Sequence, residues 1–298
     1  VMLVDGLDAP EVIGVMGGTA VEQLDGLTNV RKQTVPTPFG VPSADITIGS
    51  LGGQEILFLP RHGEAHRIPP SEINFRANIY ALKAMGCTQL ISLSAVGSLR
   101  EHLAPGKFVL VDQFIDQTYA RTKSFFGTGL VGHVALGDPV CHRLGNRLIE
   151  AAEAAGLEME RGGTYLVMEG PQFSTRAESQ LYRDWGCDVI GMTNMPEAKL
   201  ARESEICYAT VAMVTDYDCW HPDHEDVTVD AIVKVLIENA GKARSVVSKV
   251  APKLSADCFP CPYGCRTALD SALVTSPEVR DAALTGRLDI ILKRRAES

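Results

Sequence analysis

Three polar motifs stand where apolar, β-branched runs of the sequence end. They are Gly17-Gly18-Thr19, Arg61-His62-Gly63 and Ser94-Ala95-Val96-Gly97-Ser98, which end or follow the runs VIGVM, EILFLP and QLISLS. Glycine-rich turns leave backbone N–H groups free to face an anion, an arginine offers a fork of donors, and hydroxyls add further donors. Each motif alone also fits a turn that carries glycine for steric reasons, or a pair of polar residues on the surface. Because ligands of open α/β sheets bind beyond the carboxyl ends of strands, the three together predict one anion site.

One further segment offers groups suited to a flat heterocycle, and another ends a predicted strand. Residues 169–178 (EGPQFSTRAE) place Phe173 beside Ser174, and an aromatic face can stack on a planar base. The alternative is a Gly-Pro turn with Phe173 in the core. Gly191-Met192-Thr193 ends the run DVIGM just before Pro196-Glu197.

A pair of carboxylates, Asp216 and Asp218, lies in the segment TDYDCW at the end of a long apolar run. Side chains two residues apart point to the same side of an extended chain. A carboxyl close to a second carboxyl in a partly buried pocket has a raised pKa and can donate a proton to a leaving heterocycle. The alternative interpretation is an acidic turn or a helix cap.

The eight cysteines raise the question of metal or disulfide chemistry. The last three, Cys258, Cys261 and Cys265, have the spacing C-x2-C-x3-C, which fits either a disulfide clip or a metal site. The sequence around them offers no evident fourth ligand, so it predicts no metal. The other five are expected to be buried free thiols. These are Cys87, Cys141, Cys187, Cys207 and Cys219.

The elements that must position these residues alternate along the chain. Strands are predicted at 12–16, 55–60, 89–94, 108–112, 164–168, 188–192 and 207–215, and helices at 71–85, 140–155, 176–185, 196–203, 229–250 and 276–286. Alternation of this kind predicts a single α/β domain with a mixed, largely parallel central sheet flanked by helices. We expect this domain to span 10–250, followed by a Cys-rich and then helical C-terminal extension over 251–298.

Composition narrows the classes of partner. The 298 residues are 45% hydrophobic and 22% charged, with a formal net charge of −9 and a pI near 5.3. An acidic surface argues against nucleic acid and anionic membranes as partners. No apolar stretch approaches the ~20 residues of a membrane span, and the N-terminal residues lack the pattern of a signal peptide. We expect a cytoplasmic protein.

Over roughly residues 10–250 the chain resembles the trimeric purine nucleoside phosphorylase family. The two most specific matching phrases are EGPQFSTRAES at 169–179 and TDYDCW at 215–220. The other matches are GGT at 17–19, TPFG-PS at 37–43, RHG at 61–63, NF-ANIYALK at 74–83, AVGSL at 95–99 and DQFID at 112–116. The resemblance implies a nucleoside phosphorylase fold, phosphate as co-substrate, no metal or organic cofactor, and a homotrimer or a pair of trimers.

The resemblance also implies roles for individual residues. Phosphate would be held by Thr19, Arg61, His62, Ser94, Ala95 and Thr193, with Ser94 standing where many members have Thr. The nucleoside would be contacted by Phe173, Ser174, Met192, Asp216, Asp218, Val229, Ile232, Val233 and His133. Asp216 and Asp218 would be the catalytic pair, and His133 would reach a neighbouring subunit's pocket.

Two positions bear on the substrate. Relatives that act on 6-oxopurines tend to carry Asn where Asp216 stands, and relatives that act on ordinary nucleosides tend to carry His where Val229 stands. The resemblance therefore implies phosphorolysis of 5′-methylthioadenosine to adenine and 5-methylthioribose 1-phosphate. The alternatives are a 5′-methylthioinosine or general purine nucleoside phosphorylase, a hydrolase of the same bond, and a nucleoside-binding regulator without catalysis.

The chain departs from the family pattern in three places. Glu64-Ala65 follows RHG where better-known members have basic or amide residues, which is expected to weaken the positive field at the phosphate. GMTNMPEAKLARE at 191–203 is similar to a bacterial branch that includes 5′-methylthioinosine enzymes. The tail is similar to tails of archaeal members with a Cys-x-Cys motif, but its spacing differs.

Overall fold

The computed structural model describes residues 11–18, 27–51, 53–222, 229–254 and 261–296, and only the backbone at 229–233 and 294–296. Thr19 and Cys258 lie outside the described residues. The strands are β1 (Ile13–Gly17), β2 (Thr28–Gln33), β3 (Ile46–Leu51), β4 (Gln54–Pro60), β5 (Gln89–Ser98), β6 (Phe108–Val111), β7 (Gln113–Asp116), β8 (Met159–Arg161), β9 (Thr164–Val167), β10 (Val189–Gly191) and β11 (Cys207–Asp216). The helices are α1 (Phe75–Ala84), α2 (His142–Ala154), α3 (Arg176–Asp184), α4 (Asn194–Glu203), α5 (Val229–Leu254), α6 (Ala282–Arg287) and α7 (Asp289–Ala296).

The sheet is organised around β5. This strand pairs in parallel with β1 on one side and with β11 on the other, and its last residues pair antiparallel with β10. The strand order is β2-β3-β4-β1-β5-β10-β9-β7, and the branch through β11 continues to β6 and β8. Parallel pairs dominate the centre, including the pair of β1 with β4, and the pairs β2–β3 and β3–β4 at one edge are antiparallel. The predicted mixed, largely parallel sheet is confirmed.

Helices cover both faces of the sheet. One buried apolar cluster joins the sheet to α1, α4 and α7, and a second joins it to α2 and α5. The central strands have apolar residues on both faces; β1 is buried throughout and β5 and β11 almost throughout. This explains why their sequences are apolar without alternation. None of the helices in the described ranges has the length and apolar character needed to cross a bilayer.

Local capping decides where the helices that support the site begin. The predicted helix at 71–85 starts later, at Phe75, because Asn74 accepts a hydrogen bond from the Ala77 N–H at 3.1 Å and caps it. Helix α3 begins with a capping box, in which Thr175 and Glu178 satisfy each other's backbone N–H groups. It starts at the predicted residue, Arg176, so the loop at 169–175 is held firmly at its end.

The C-terminal part of the chain packs against the core. Helix α5 continues to Leu254, past the expected boundary at residue 250. Leu288 and Ile291 are buried in the same cluster as α1, and the Tyr80 hydroxyl donates to Asp289 Oδ1 at 2.8 Å. The described extension therefore shares the hydrophobic core of the preceding domain.

Candidate active site

A cavity of about 600 Å³ opens where the carboxyl ends of β1, β4 and β11 meet the second half of β5. Gly18 lines it directly after β1. The sequence-predicted residues that line it are Arg61, His62, Ser94, Ala95, Phe173, Met192, Thr193, Asp216 and Asp218. Four separate strand ends thus converge on one space, as their motifs predicted.

Arg61 is the most buried charged group of the cavity wall. Its Nε and Nη2 atoms donate to the two carboxylate oxygens of Glu197, at 2.6 and 3.0 Å, and Nη2 also donates to Ser92 Oγ at 2.7 Å. A side chain added at Gly18 would place its Cβ 3.6 Å from Nη1. The guanidinium is therefore locked in one orientation, with Nη1 close to the turn after β1.

His62 follows Arg61 and is also buried. Its Nδ1 lies 2.8 Å from the Ile68 carbonyl oxygen, so Nδ1 carries the proton and Nε2 is left for other contacts. The ring of His66 stacks on it with centroids 4.0 Å apart. Burial, together with the nearby cationic groups, lowers the pKa of His62 to about 4, despite the hydrogen bond to Ile68. The imidazole is neutral in the free protein near pH 7.

Two hydroxyls complete the polar wall around Arg61. Ser94 Oγ lies 3.0 Å from the Tyr165 hydroxyl and 3.5 Å from Thr193 Oγ1, and both Ser94 and Thr193 are buried. Thr193 stands immediately before α4 without capping that helix through its side chain. Its hydroxyl is therefore available to a ligand of the cavity.

The two aspartates are coupled through the backbone. Asp216 Oδ1 accepts from the Asp218 N–H at 2.8 Å, and Asp216 Oδ2 accepts from Thr215 Oγ1 at 2.7 Å. Burial raises the pKa of both carboxyls, and the charge of Asp218 adds to the shift of Asp216. Asp218 Oδ2 is buried and has no hydrogen-bond partner among the described residues. The Asp218 oxygen can accept a hydrogen bond from a ligand. The raised pKa values favour carboxyls that can hold a proton and donate it.

Gly97 makes room for this pair. It sits in β5 opposite Asp216, where the register of β5 and β11 shifts. A Cβ at Gly97 would lie 2.9 Å from Asp216 Oδ1 and 3.4 Å from the Asp218 nitrogen. Glycine is therefore required for the carboxylate to lie against the strand.

The loop at 169–175 and the end of β10 supply the apolar wall. Phe173 is 47% exposed and lines the cavity, so it is not part of the core. Met192 also lines it and packs against Gly170. Ser174 is not in the cavity wall; its carbonyl accepts from Cys219 Sγ at 3.3 Å.

The remaining predicted residues fall elsewhere. Thr19 lies outside the described residues, and the side chains of Val229, Ile232 and Val233 are not described, although α5 begins at Val229. His133 is exposed, away from this cavity, and its N–H donates to the Ala272 carbonyl at 2.8 Å. The expected weakening by Glu64 has no structural basis, because Glu64 points to the surface and pairs with Lys32 at 2.6 Å.

Several residues that support the site were given no role by the sequence. Glu197 is fully buried against Arg61. Arg121 and Glu169 form a second buried ion pair at 3.1 Å, and Arg121 Nη1 donates to the Met192 carbonyl at 2.6 Å. Tyr165 contacts Ser94. Each pair joins residues at least 48 positions apart, so spacing along the sequence gives no signal for it.

A family model described as the phosphorylase superfamily matches residues 12–252. The chain belongs to the phosphorylase superfamily. Its curated relatives include the S-methyl-5′-thioadenosine phosphorylases of Rhodospirillum rubrum, 56% identical over 95% of this chain and 96% of that protein, and of Bradyrhizobium diazoefficiens, 55% identical over 95% and 97%. The predicted membership of a nucleoside phosphorylase family is confirmed.

Solved structures within the superfamily share the fold. A methylthioadenosine phosphorylase sourced from an Antarctic soil metagenomic library has a TM-score of 0.89 and 45% identity over 95% of this chain and 99% of its own. A methylthioadenosine phosphorylase from Schistosoma mansoni in complex with adenine has a TM-score of 0.85 and 33% identity over 88% and 98%. A point mutant of the Schistosoma enzyme is in complex with methylthioadenosine.

Proposed function

We propose that the protein catalyses phosphorolysis of S-methyl-5′-thioadenosine, giving adenine and 5-methylthioribose 1-phosphate. One observation carries the proposal: β5 holds Ser94 of the proposed anion site and, further along, Gly97, which lies against Asp216 of the neighbouring strand β11. Ser94 and Gly97 are three residues apart in β5, which corresponds to about 10 Å. Gly97 contacts Asp216. A ribose fits between a phosphate at Ser94 and a purine at Asp216.

In this mechanism the first step is the binding of phosphate. Polar groups from four strand ends form its site. Arg61 Nη1 and the hydroxyls of Ser94 and Thr193 donate to the oxyanion, His62 Nε2 accepts from the proton of hydrogen phosphate, and Thr19, which follows Gly18 in sequence, adds a donor. The ion pair with Glu197 fixes Arg61 before phosphate arrives. Groups oriented in advance cost little reorganisation when charge develops in the transition state.

The chemical step is a displacement at C1′. The bond from C1′ to N9 breaks, its electron pair leaves with adenine, and a phosphate oxygen forms the new bond to C1′ with inversion. The bound phosphate stabilises the positive charge that develops on the ribose. Asp216, whose pKa is raised by burial, gives a proton to N7 of the departing base. Asp218 Oδ2 accepts a hydrogen bond from the 6-amino group.

Substrate preference depends on which groups contact the 6-position of the base and the 5′ end of the ribose. A carboxylate accepts from the 6-amino group of adenine, and a 6-oxopurine offers no donor there. Val229 offers no hydrogen bond to a 5′-hydroxyl and suits a methylthio group. An unpaired buried hydroxyl costs about 1–3 kcal/mol, so adenosine is the poorer substrate. The names of the curated relatives support this choice.

We further propose a cytoplasmic homotrimer that acts in purine and methionine salvage. His133 supports the trimer, because it is exposed on its own subunit and lies outside that subunit's cavity. In a trimer it would close the pocket of the neighbour at the 5′ end of the nucleoside. The displacement uses phosphate as co-substrate and needs no organic cofactor.

A substrate panel tests the proposal. Base release is measured in phosphate buffer from 5′-methylthioadenosine, adenosine, inosine and 5′-methylthioinosine. We expect the fastest release, of adenine, from 5′-methylthioadenosine. Faster release of hypoxanthine from 5′-methylthioinosine would contradict the hydrogen bond proposed from the 6-amino group to Asp218 Oδ2. No release from any of the four would favour a nucleoside-binding regulator.

A further inference from the structure

Four cysteines from three distant parts of the chain meet at one point. They are Cys141, Cys207, Cys261 and Cys265, and their sulfur atoms all lie within 4.8 Å of one another. All four are buried. Cys141 and Cys207 are buried free thiols, as expected, but they lie beside the C-terminal cysteines. The further ligands that the C-terminal cysteines lack in sequence thus come from the body of the domain.

We propose that this cluster is a structural zinc site. Zinc in such sites binds four thiolates tetrahedrally at about 2.3 Å, which places neighbouring sulfurs about 3.8 Å apart. Cys141 Sγ and Cys261 Sγ lie 3.6 Å apart, and the limit of 4.8 Å for all pairs leaves room for one ion in the middle. Four sulfur ligands in this geometry select zinc among the common divalent ions. A cluster of several irons would hold the sulfurs further apart.

Disulfide pairing explains the arrangement less well. A disulfide requires a sulfur–sulfur distance of about 2.05 Å and would separate its two cysteines from the other pair. Here Cys141 and Cys261 are at 3.6 Å, and all four sulfurs are mutually close. One metal ion bound by all four sulfurs accounts for that closeness, whereas two separate disulfide bonds do not.

The surroundings offset the charge that four thiolates would bring. Zinc with four thiolates carries two net negative charges. Arg143 Nη2 lies 3.7 Å from Cys207 Sγ and is oriented by a 2.9 Å hydrogen bond to Gln89 Oε1. Such groups outside the ligand set stabilise the bound ion.

The C-x3-C turn is shaped to present both of its sulfurs. The Gly264 N–H donates to the Cys261 carbonyl at 3.2 Å, and Gly264 adopts a left-handed conformation with φ of 68°. The turn continues into a short 3₁₀ turn at Cys265–Thr267. Residues 261 and 265 thus approach the cluster from one tight loop, as in many zinc sites.

The placement indicates a structural role. Cys207 opens β11 and Asp216 ends it, nine residues or about 30 Å away. Cys141 precedes α2, so the ion would join α2, β11 and the C-terminal extension. Because protein ligands fill all four positions, none is left for a substrate. The extension in turn holds the backbone of His133 through Ala272.

Metal analysis of the full-length protein, purified without chelators, tests the proposal. We expect about one zinc per chain in the wild type, loss of that zinc in Cys265→Ala, and retention in Cys187→Ala, a buried cysteine outside the cluster. Cobalt exchanged into the wild type should give the visible bands of tetrahedral thiolate coordination. Both readouts are independent of catalytic activity.

A second measurement on the wild type covers the case in which Cys265→Ala fails to fold. A mercurial reagent titrated into native protein should release zinc, detected by a chelating dye, in step with modification of the thiols. Intact mass analysis under non-reducing conditions that shows the loss of two hydrogens per cysteine pair would overturn the proposal. Four reduced thiols without zinc, in protein grown with zinc supplied, would overturn it as well.

Discussion

Arg61 and Glu197 form a buried two-point ion pair, with Arg61 1% and Glu197 0% exposed. The two hydrogen bonds, at 2.6 and 3.0 Å, join residues 136 positions apart in sequence. The pair connects the end of β4 to α4, the two elements that bring Arg61 and Thr193 to the cavity. Two-point pairing fixes the guanidinium plane, so this contact decides the geometry of the proposed phosphate site.

Replacing Glu197 by glutamine should destabilise the protein strongly. Arg61 would remain buried without a counter-charge, and breaking such a pair costs about 3–5 kcal/mol of the free energy of unfolding. The matched control is Glu55→Gln, which breaks the exposed pair with Arg31 at 2.9 Å and should cost about 1 kcal/mol or less. Urea unfolding of both variants measures the difference. Equal losses would show that the buried pair has no special importance.

His62 should make the stability depend on pH in the acid range. Its pKa is about 4 in the folded protein and about 6.5 in an unfolded chain. The unfolded chain therefore binds more protons between these values, and the free energy of unfolding falls as pH drops from about 6.5 to about 4, by at most about 3 kcal/mol. Above pH 6.5 the effect vanishes.

Urea unfolding at about pH 4.5 and about pH 7.5 checks the His62 effect. His62→Gln should reduce the difference in unfolding free energy between the two pH values, whereas substitution of the exposed His142 by glutamine should leave it nearly unchanged. If His62→Gln and wild type lost the same stability at the lower pH, the histidine would not be held neutral by burial.

Substituting Asp216 by asparagine should lower kcat for 5′-methylthioadenosine by about 10²–10⁴, because an amide cannot donate the proton that a carboxylic acid supplies. In the wild type, kcat should fall as pH rises through the raised pKa of Asp216. Steady-state rates over a pH series test both statements, with the exposed Asp138→Asn as control. A variant that keeps activity within a factor of two would contradict the proton-donor role.

Gly97→Ala should impair activity through the position of Asp216. The added Cβ would lie 2.9 Å from Asp216 Oδ1, so the carboxylate must move. We expect kcat to fall at least about tenfold, since displacements near 1 Å can cost about a hundredfold. Gly137→Ala is the control, because nothing lies within 4 Å of its new Cβ. Equal rates for the two variants would show that Asp216 tolerates displacement.

The sequence predicted the central strands and most of the site for a physical reason. Buried strands such as β5 and β11 need continuous apolar runs, and the polar residues that follow them fall at one edge of a parallel sheet. Edge strand β2 was not predicted, because its residues TNVRKQ are largely exposed and carry no apolar pattern. Strands β3, β7 and β8 were also missed; β7 and β8 are short and largely outside the buried core.

Spacing along the sequence does not reveal contacts between residues that are distant in sequence. The sequence identifies Glu197 only as the residue after Pro196, and its pairing with Arg61 depends on how α4 packs on the sheet. The four-cysteine cluster was missed for the same reason, because two of its members come from the start of α2 and from β11. The roles given to all the site residues stay predictions, including those of Thr19, Val229, Ile232, Val233 and His133.

The most direct test of the proposed reaction is whether phosphate is required and is converted into a sugar phosphate. The protein is incubated with 5′-methylthioadenosine with and without inorganic phosphate, and the products are followed by ³¹P NMR and by adenine release. We predict that adenine appears only with phosphate and that one sugar 1-phosphate forms for each adenine. Equal adenine release without phosphate, with no new phosphate ester, would identify a hydrolase and contradict the account.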